Sequence, residues 1–498
     1  MKPQKTNKLF VVLAALSVEE VKDFVVFVNS PFFNSNKNVC KTVEYLKKIH
    51  PDFAVKSAEP EKVYSVLFPG KKFNEQILNN LYTELNKLLK RYFALKEFEG
   101  DYDLSKICYI RNLTKKKLVQ QSLLEIKKGL GKIEEENYDT YRKQKVTTGL
   151  LLEQIGTIMY TSDHNRYLET EIKKTESFTY QYLLDLSLSA VNIHIYRQYF
   201  PTKLKNQLSD ELWNSIDFNR LVKKLDALDT IDTADQYLYL KMILMGNAIF
   251  LGKNNFKDFL KLKEILKANY HKFVFDDKHK LWDMMIKILD YSVSKYYKDY
   301  NNEIHQINKF CIDNGALINE MQVRNGTFVL YENRVRNCFA YAIRVSDWEW
   351  AEAFVEKHSK YMSDEVRDNT YHYLIGQCKM QNNKFGEAME HFSKVKLKDG
   401  VINIDIRNFY LKCLYELGYW EELLAAIDSF NHYLDYQDVP PDFADTDFKS
   451  LFKYLRILTK IKTEGAGIDS TLLNEVENTP GFLSKGWIIL KIKEINNK

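Results

Sequence analysis

Trp350-Ala351-Glu352-Ala353, Phe385-Gly386-Glu387-Ala388 and Trp420-Glu421-Glu422-Leu423 decide how this chain reads. Each stretch starts 35 residues after the one before (385 − 350 = 35; 420 − 385 = 35). An aromatic residue, a glutamate two on and a small or apolar residue three on recur in phase. A fixed period of this length marks supersecondary units that bury their apolar faces only by stacking on each other.

Working outward, each stretch opens the second helix of a pair. In the second copy Tyr371, Leu374, Ile375 and Cys378 stand at i, i+3, i+4 and i+7, one face of an amphipathic helix. Asn382-Asn383-Lys384 breaks it, since asparagine tolerates turn conformations. Phe385, Ala388, Met389, Phe392 and Val395 then share a face, and Lys398-Asp399-Gly400 ends the unit. The third copy runs Phe409, Leu411, Leu414 and Tyr415, a turn at Gly418, then Trp420, Leu423, Leu424, Ile427 and Phe430. The first runs from Arg334 to Val345, a turn at Asp347, then Trp350, Ala353, Phe354 and Tyr361. Small residues such as Ala353 and Ala388 fit where two helices approach closely. Trp350, Phe385 and Trp420 are expected at equivalent buried positions.

The pattern resembles the tetratricopeptide-repeat family. Gly376 stands at that family's first-helix glycine, Phe385 at the second-helix aromatic, Ala388 at its alanine and Phe392 at its later aromatic. The period is one residue longer than the usual 34. His372 occupies the tryptophan position, and the terminal proline is missing. The resemblance covers Gln322 to Tyr433. It implies an all-α, TPR-like α-solenoid of antiparallel helix pairs, whose first helices line a concave face. Transferring the family's ligand-facing positions gives Tyr373 and Gln377 in the second copy and Asn408 and Lys412 in the third. The first copy offers Cys338 and Ala342, so the clamp for an acidic chaperone tail is absent. The expected partner is an extended or helical protein segment held by aromatic and amide contacts.

Composition agrees with helix. No proline occurs between Pro201 and Pro440, where about twelve would be expected at ~5% usage. The chain reads as a helical module at 1–101, long helices at 102–200, helical pairs at 201–321, repeats at 322–433 and capping helices at 434–498. In the module, Ser17 and Glu20 form a capping-box pattern. Val21, Phe24, Val25 and Val28 make a helix face stopped at Ser30-Pro31-Phe32-Phe33-Asn34. Val39, Val43, Leu46 and Ile49 follow; then Val63, Val66 and Leu67; then a long helix capped by Asn74, with Ile77, Leu81, Leu85, Leu88, Leu89 and Tyr92. This order resembles the opening of a group of helical proteins from Bacteroidota-type bacteria, a likeness that brings no activity with it. Leu113 to Glu136 reads as one helix. Pro201 to Asp210 reads as a linker, and Gln437 to Phe448 as a loop.

Motifs that carry chemistry do not stand out in the sequence. The chain has no G-x-x-x-x-G-K-[ST], G-x-S-x-G or H-E-x-x-H. No catalytic residue, metal ligand or cofactor is expected, and the reading is non-enzymatic. Six scattered cysteines without a C-x-x-C pair suit buried thiols in a reducing compartment. A cytoplasmic location is expected. Export is the alternative, should the basic start and the run Leu9 to Leu16 form a signal peptide. No apolar run approaches the ~20 residues of a membrane span.

The net charge is only +5. Lys71 to Lys132 nevertheless holds fourteen Lys or Arg against seven acids, a local +7. Lys115, Lys116, Lys117, Lys127 and Lys128 are the candidate contacts for nucleic acid, the alternative partner. Such binding would weaken steeply with salt, because it releases counterions.

Overall fold

The computed structural model describes residues 7–53, 56–136, 138–199, 207–228, 237–252, 256–324, 326–396, 400–436, 447–465 and 471–496. Among them there is no strand, only one isolated parallel bridge between Asp447 and Phe482. The chain divides into two compact units, Met1–Asn137 with Arg142–Thr179, and Tyr138–Tyr141 with Tyr180–Lys498.

The first unit opens with α1 (Lys8–Ala14), α2 (Val18–Asn29), α3 (Lys37–Ile49), α4 (Pro60–Leu67) and α5 (Glu75–Gly100). The capping box forms as the sequence requires, Ser17 taking the Glu20 N–H and Glu20 reaching back to Ser17. Asn74 caps α5 through the Ile77 N–H. Leu9 and Leu13 of α1 are buried with Phe24, Val28, Val39, Leu46 and Leu85 in one apolar cluster. Two positions depart from the expected stripes. Val66 and Ile77 are exposed, while Leu78 and Tyr82 turn inward.

Four helices follow: α6 (Tyr102–Lys115), α7 (Val119–Glu135), α8 (Thr140–Ile158) and α9 (His164–Tyr199). The single helix expected over Leu113 to Glu136 is therefore two. Lys117 takes φ +58°, and the Leu118 N–H returns to the Leu113 carbonyl at 3.0 Å. A left-handed residue closed by this bond ends a helix and satisfies its last carbonyls. Lysine is not a typical residue there, so the sequence hid the break. Inside, the hydroxyls of Thr114, Ser122 and Thr157 bond one another at 2.8–3.0 Å, linking α6, α7 and α8.

The second unit comprises α10 (Gln207–Ser215), α11 (Phe218–Leu228), α12 (Leu238–Leu251), α13 (Phe256–Asn269), α14 (Phe275–Ile288), α15 (Tyr300–Asp313) and α16 (Glu320–Arg324). After these come α17 (Glu332–Arg344), α18 (Trp348–His358), α19 (Asp364–Gln381), α20 (Phe385–Ser393), α21 (Gly400–Leu417) and α22 (Trp420–Tyr436). The chain closes on α23 (Phe448–Glu464), α24 (Leu472–Asn478) and α25 (Lys485–Asn496). From α17 to α23 each helix packs on the next, and α17 also meets α19, and α19 meets α21. One core runs from Tyr180 to Cys413, and a second from Ile404 to Ile492. Part of the expected linker, Gln207 to Asp210, is helical. Lys398 and Asp399, Pro201 and most of the Gln437 to Phe448 loop, with its two prolines, lie outside the described residues. Of the Asn325-Gly326 pair, Asn325 lies outside the described residues and Gly326 has φ +68°.

Among the described residues the turn found at Lys117 recurs at Gly315 and Gly326, and three hairpins repeat it with a second helix two residues on. Ser346, Asn383 and Gly418 have φ of +62°, +58° and +73°. The next N–H returns to Ala342, Lys379 and Leu414 at 3.0, 2.9 and 3.0 Å. The second helix starts two residues after the left-handed one, at Trp348, Phe385 and Trp420. Five residues after it, Ala351, Ala388 and Leu423 are wholly buried. Measured on this turn, the first interval is 37 and the second 35 (383 − 346; 418 − 383). The sequence phase was thus two residues off in the first copy. Ala351 occupies the close approach there and Ala353 is exposed. The aromatic equivalents are Trp348, Phe385 and Trp420, each half-buried rather than buried. Trp350 instead stacks on Phe354 at 4.8 Å and meets His305 edge-on at 4.9 Å.

Gly376 shows why that residue is required. A Cβ there would lie 2.5 Å from Cε1 of Phe392. The corresponding places of the other two hairpins pair Phe339 with Val355 and Leu411 with Ile427, all buried. Glycine is the partner only where the opposing residue is phenylalanine. Gly376→Ala should therefore cost ~1–3 kcal/mol by overpacking. Chemical unfolding checks this, and Phe392→Leu in the same chain should recover part of the loss.

One buried carboxylate strains the second unit. Thr140 donates its N–H and hydroxyl to Asp277 Oδ2 at 2.9 and 2.6 Å, while Oδ1 is buried with no partner. Burial pushes the Asp277 carboxyl up to about 6, against the pull of the Thr140 hydrogen bonds. The folded state thus holds this proton more tightly than the unfolded chain. Its stabilising share is present below the unfolded value of 3.8 and is lost as pH rises to about 6. Holding the proton up to about 6 against 3.8 amounts to roughly 3 kcal/mol. Asp277→Asn should raise the unfolding temperature near neutral pH and flatten the stability profile between about pH 4 and 6. Thermal unfolding of both proteins across that range measures it.

Candidate functional site

A cleft of about 510 Å³ opens between the end of α9, the α14 region, α15 and α17. Its placement follows from two local features. Gly246 lets α12 and α14 close up, since a Cβ there would sit 2.4 Å from the Met284 sulfur. Beyond Ile288 the helix widens into a π turn, Leu289–Val293, where the Ser294 N–H reaches back five residues to Leu289 at 2.8 Å. Such turns re-aim side chains and cluster at functional sites. Here the turn brings Asp290 and Tyr291 to the cleft wall.

The floor is a charged network. Lys287 bonds Asn192 at 2.6 Å and pairs with Asp283. Arg334 reaches Asp283 at 3.5 Å and His279 at 3.0 Å, and lies 4.7 Å from the Trp282 ring centre. Trp282 in turn donates to Asn308 at 2.9 Å. Burial, with Arg334 beside it, holds His279 below the ordinary histidine range. The rim is more open. Tyr196, Asn337 and Arg344 are exposed, and Arg344 stacks over Tyr341 at 4.8 Å. The lining cations Lys287, Arg334 and Arg344 face the anions Asp283 and Asp290. The arrangement offers aromatic area, an amide and a guanidinium fork, the side chains that recur at interface anchors.

The residues chosen from the repeat register lie elsewhere. Tyr373, Gln377 and Asn408 are buried and Lys412 is half-buried. Tyr373 donates to Asp405 at 2.7 Å. Asn408 accepts from the Ser484 hydroxyl at 2.9 Å, just ahead of α25. Lys412 lies 5.9 Å from the ring centres of both Phe409 and Trp487, and burial lowers its ammonium to about 8. Trp487 and Lys491 both bind Glu416, at 3.2 and 2.6 Å. The last helix thus covers the α21 positions. Nothing in a helical period foretells the π turn, and no residue of the cleft floor stood out in the sequence.

The five lysines proposed for nucleic acid are all exposed. Lys115 and Lys116 stand at the end of α6, Lys117 in the turn, and Lys127 and Lys128 along α7. Lys128 pairs with Glu125 at 2.9 Å, a carboxylate also bound by Lys106. Among the described residues the other four make no ion pair. The thiols of Cys338, Cys378 and Cys413 are buried, which pushes each up to about 12 and leaves them inert. Among the described residues no three or more His, Cys, Asp or Glu converge as a metal site. No described helix is long and apolar enough to cross a membrane. Comparison with known proteins finds no matching family model, curated protein or solved structure.

Proposed function

We propose that this protein is a non-enzymatic interaction scaffold, a TPR-like α-solenoid that binds a protein or peptide partner. The recurrence of one turn geometry at Ser346, Asn383 and Gly418 supports the repeat reading. The partner face is assigned to the cleft between α9, α14 and α17, away from the positions that α25 covers. The single observation that carries this is the π turn at Leu289–Val293, which breaks a regular helix where charged and aromatic side chains converge. An extended or helical segment laid there would rest on Tyr196 and be anchored by Arg344, which stacks over the buried Tyr341. Exposed Arg and Tyr side chains supply much of the energy of such contacts.

The test begins with a partner captured from native lysate. Tyr196→Ala with Arg344→Ala should weaken that partner by about 2 kcal/mol or more, the range of interface hot spots. Thermal unfolding should stay nearly unchanged, since both side chains are exposed. Undiminished binding by the double variant would place the interface elsewhere.

A further inference from the structure

His372 of α19 and His391 of α20 face each other across one hairpin, Nδ1 to Nδ1 at 3.0 Å and ring centres 5.0 Å apart. They stand eleven residues before and eight after the left-handed Asn383 (383 − 372; 391 − 383). The same two places in the other hairpins reveal what packing asks for there. Beside Lys117 they hold Lys106 and Glu125, joined as an ion pair. Beside Ser346 they hold Val335 and Phe354, both buried. Beside Gly418 they hold Arg407 and Ala426. An ion pair, an apolar pair, or a long cation with a small residue satisfies this position. Helix packing has no need of two imidazoles.

The two imidazoles share a hydrogen bond of 3.0 Å, a separation that also matches the bite of a metal chelate. With metal–nitrogen bonds of about 2.0–2.1 Å, tetrahedral ligands stand roughly 3.3 Å apart and right-angled ones roughly 2.9 Å. Both rings are half-buried. Glu390, next in sequence to His391, is engaged by Lys394 at 2.8 Å. No third protein ligand joins the pair among the described residues. We infer that His372 and His391 form a two-histidine site for a borderline divalent transition metal such as Zn²⁺, Ni²⁺ or Cu²⁺, the ions that imidazole suits. Water completes the coordination. This site is independent of the cleft assigned to the partner.

The tag-free full-length chain titrated with NiCl₂ in a calorimeter should bind one ion saturably. His372→Ala and His391→Ala should each weaken binding at least about tenfold, since loss of a ligand costs no less than loss of an outer-shell partner. A second readout uses the unaltered chain, so it does not depend on how the variants fold. Ni²⁺ should protect His372 and His391 from diethyl pyrocarbonate, read by mass spectrometry, and leave the other eight of the ten histidines as reactive as before. Equal affinity in the double variant, the lack of a saturable site, or protection centred on another histidine would overturn the inference.

Discussion

The close approach of two helices just after a left-handed turn is the constraint on which the described hairpins depend. One residue at positive φ folds the chain back, and a bond from the next N–H fixes the angle of return. The residue five places after the turn then meets the preceding helix with no room to spare. Ser122, Ala351, Ala388 and Leu423 fill that place, all with no measurable exposure. Alanine or serine there brings the backbones close, and leucine at the third hairpin of the second unit matches its all-aliphatic setting of Leu411 and Ile427. Interiors packed at crystal-like density make such positions intolerant of added volume.

From that constraint the other features follow. Once the turn sets the register, the residues seven before and nine after it must share a fixed volume. The sequence satisfies this three ways in the second unit, with Phe339 and Val355, Gly376 and Phe392, and Leu411 and Ile427. The residues eleven before and eight after face each other at the edge of the hairpin, where volume matters less and chemistry is freer. That is where the imidazole pair sits. The cleft depends on an exception to regularity instead. A π turn shifts the side chains beyond Ile288 off the helical period, and only then do Asp290 and Tyr291 reach the wall shared with α17.

Much of this was legible beforehand, for identifiable reasons. Amphipathic spacing gave the helices, because burial of one face imposes the 3.6-residue period. Asn74 and Ser17 announced their helix starts through side chains that satisfy orphan N–H groups. The turn at Gly418 was visible because glycine favours positive φ. The turn at Lys117 was not, because lysine does not advertise that conformation, while the turn expected at Asp347 forms one residue earlier, at Ser346. Missing Lys117 merged α6 with α7. Matching Trp350 rather than Trp348 to Phe385 slides the first hairpin by two residues and puts Ala353 where Ala351 belongs. The repeat register also could not show that Ser484 and Trp487 would reach back over Asn408 and Lys412, since those contacts span more than seventy residues.

The left-handed turn, and not the 35-residue spacing of the motif, sets the hairpin register. Equilibrium unfolding of Ala351→Leu and Ala353→Leu tests it most directly. Ala351 is wholly buried and Ala353 exposed. Ala351→Leu should lose ~1–3 kcal/mol by overpacking, and Ala353→Leu should change stability by no more than about 0.5 kcal/mol. The reverse order, with Ala353→Leu the damaging change, would contradict it.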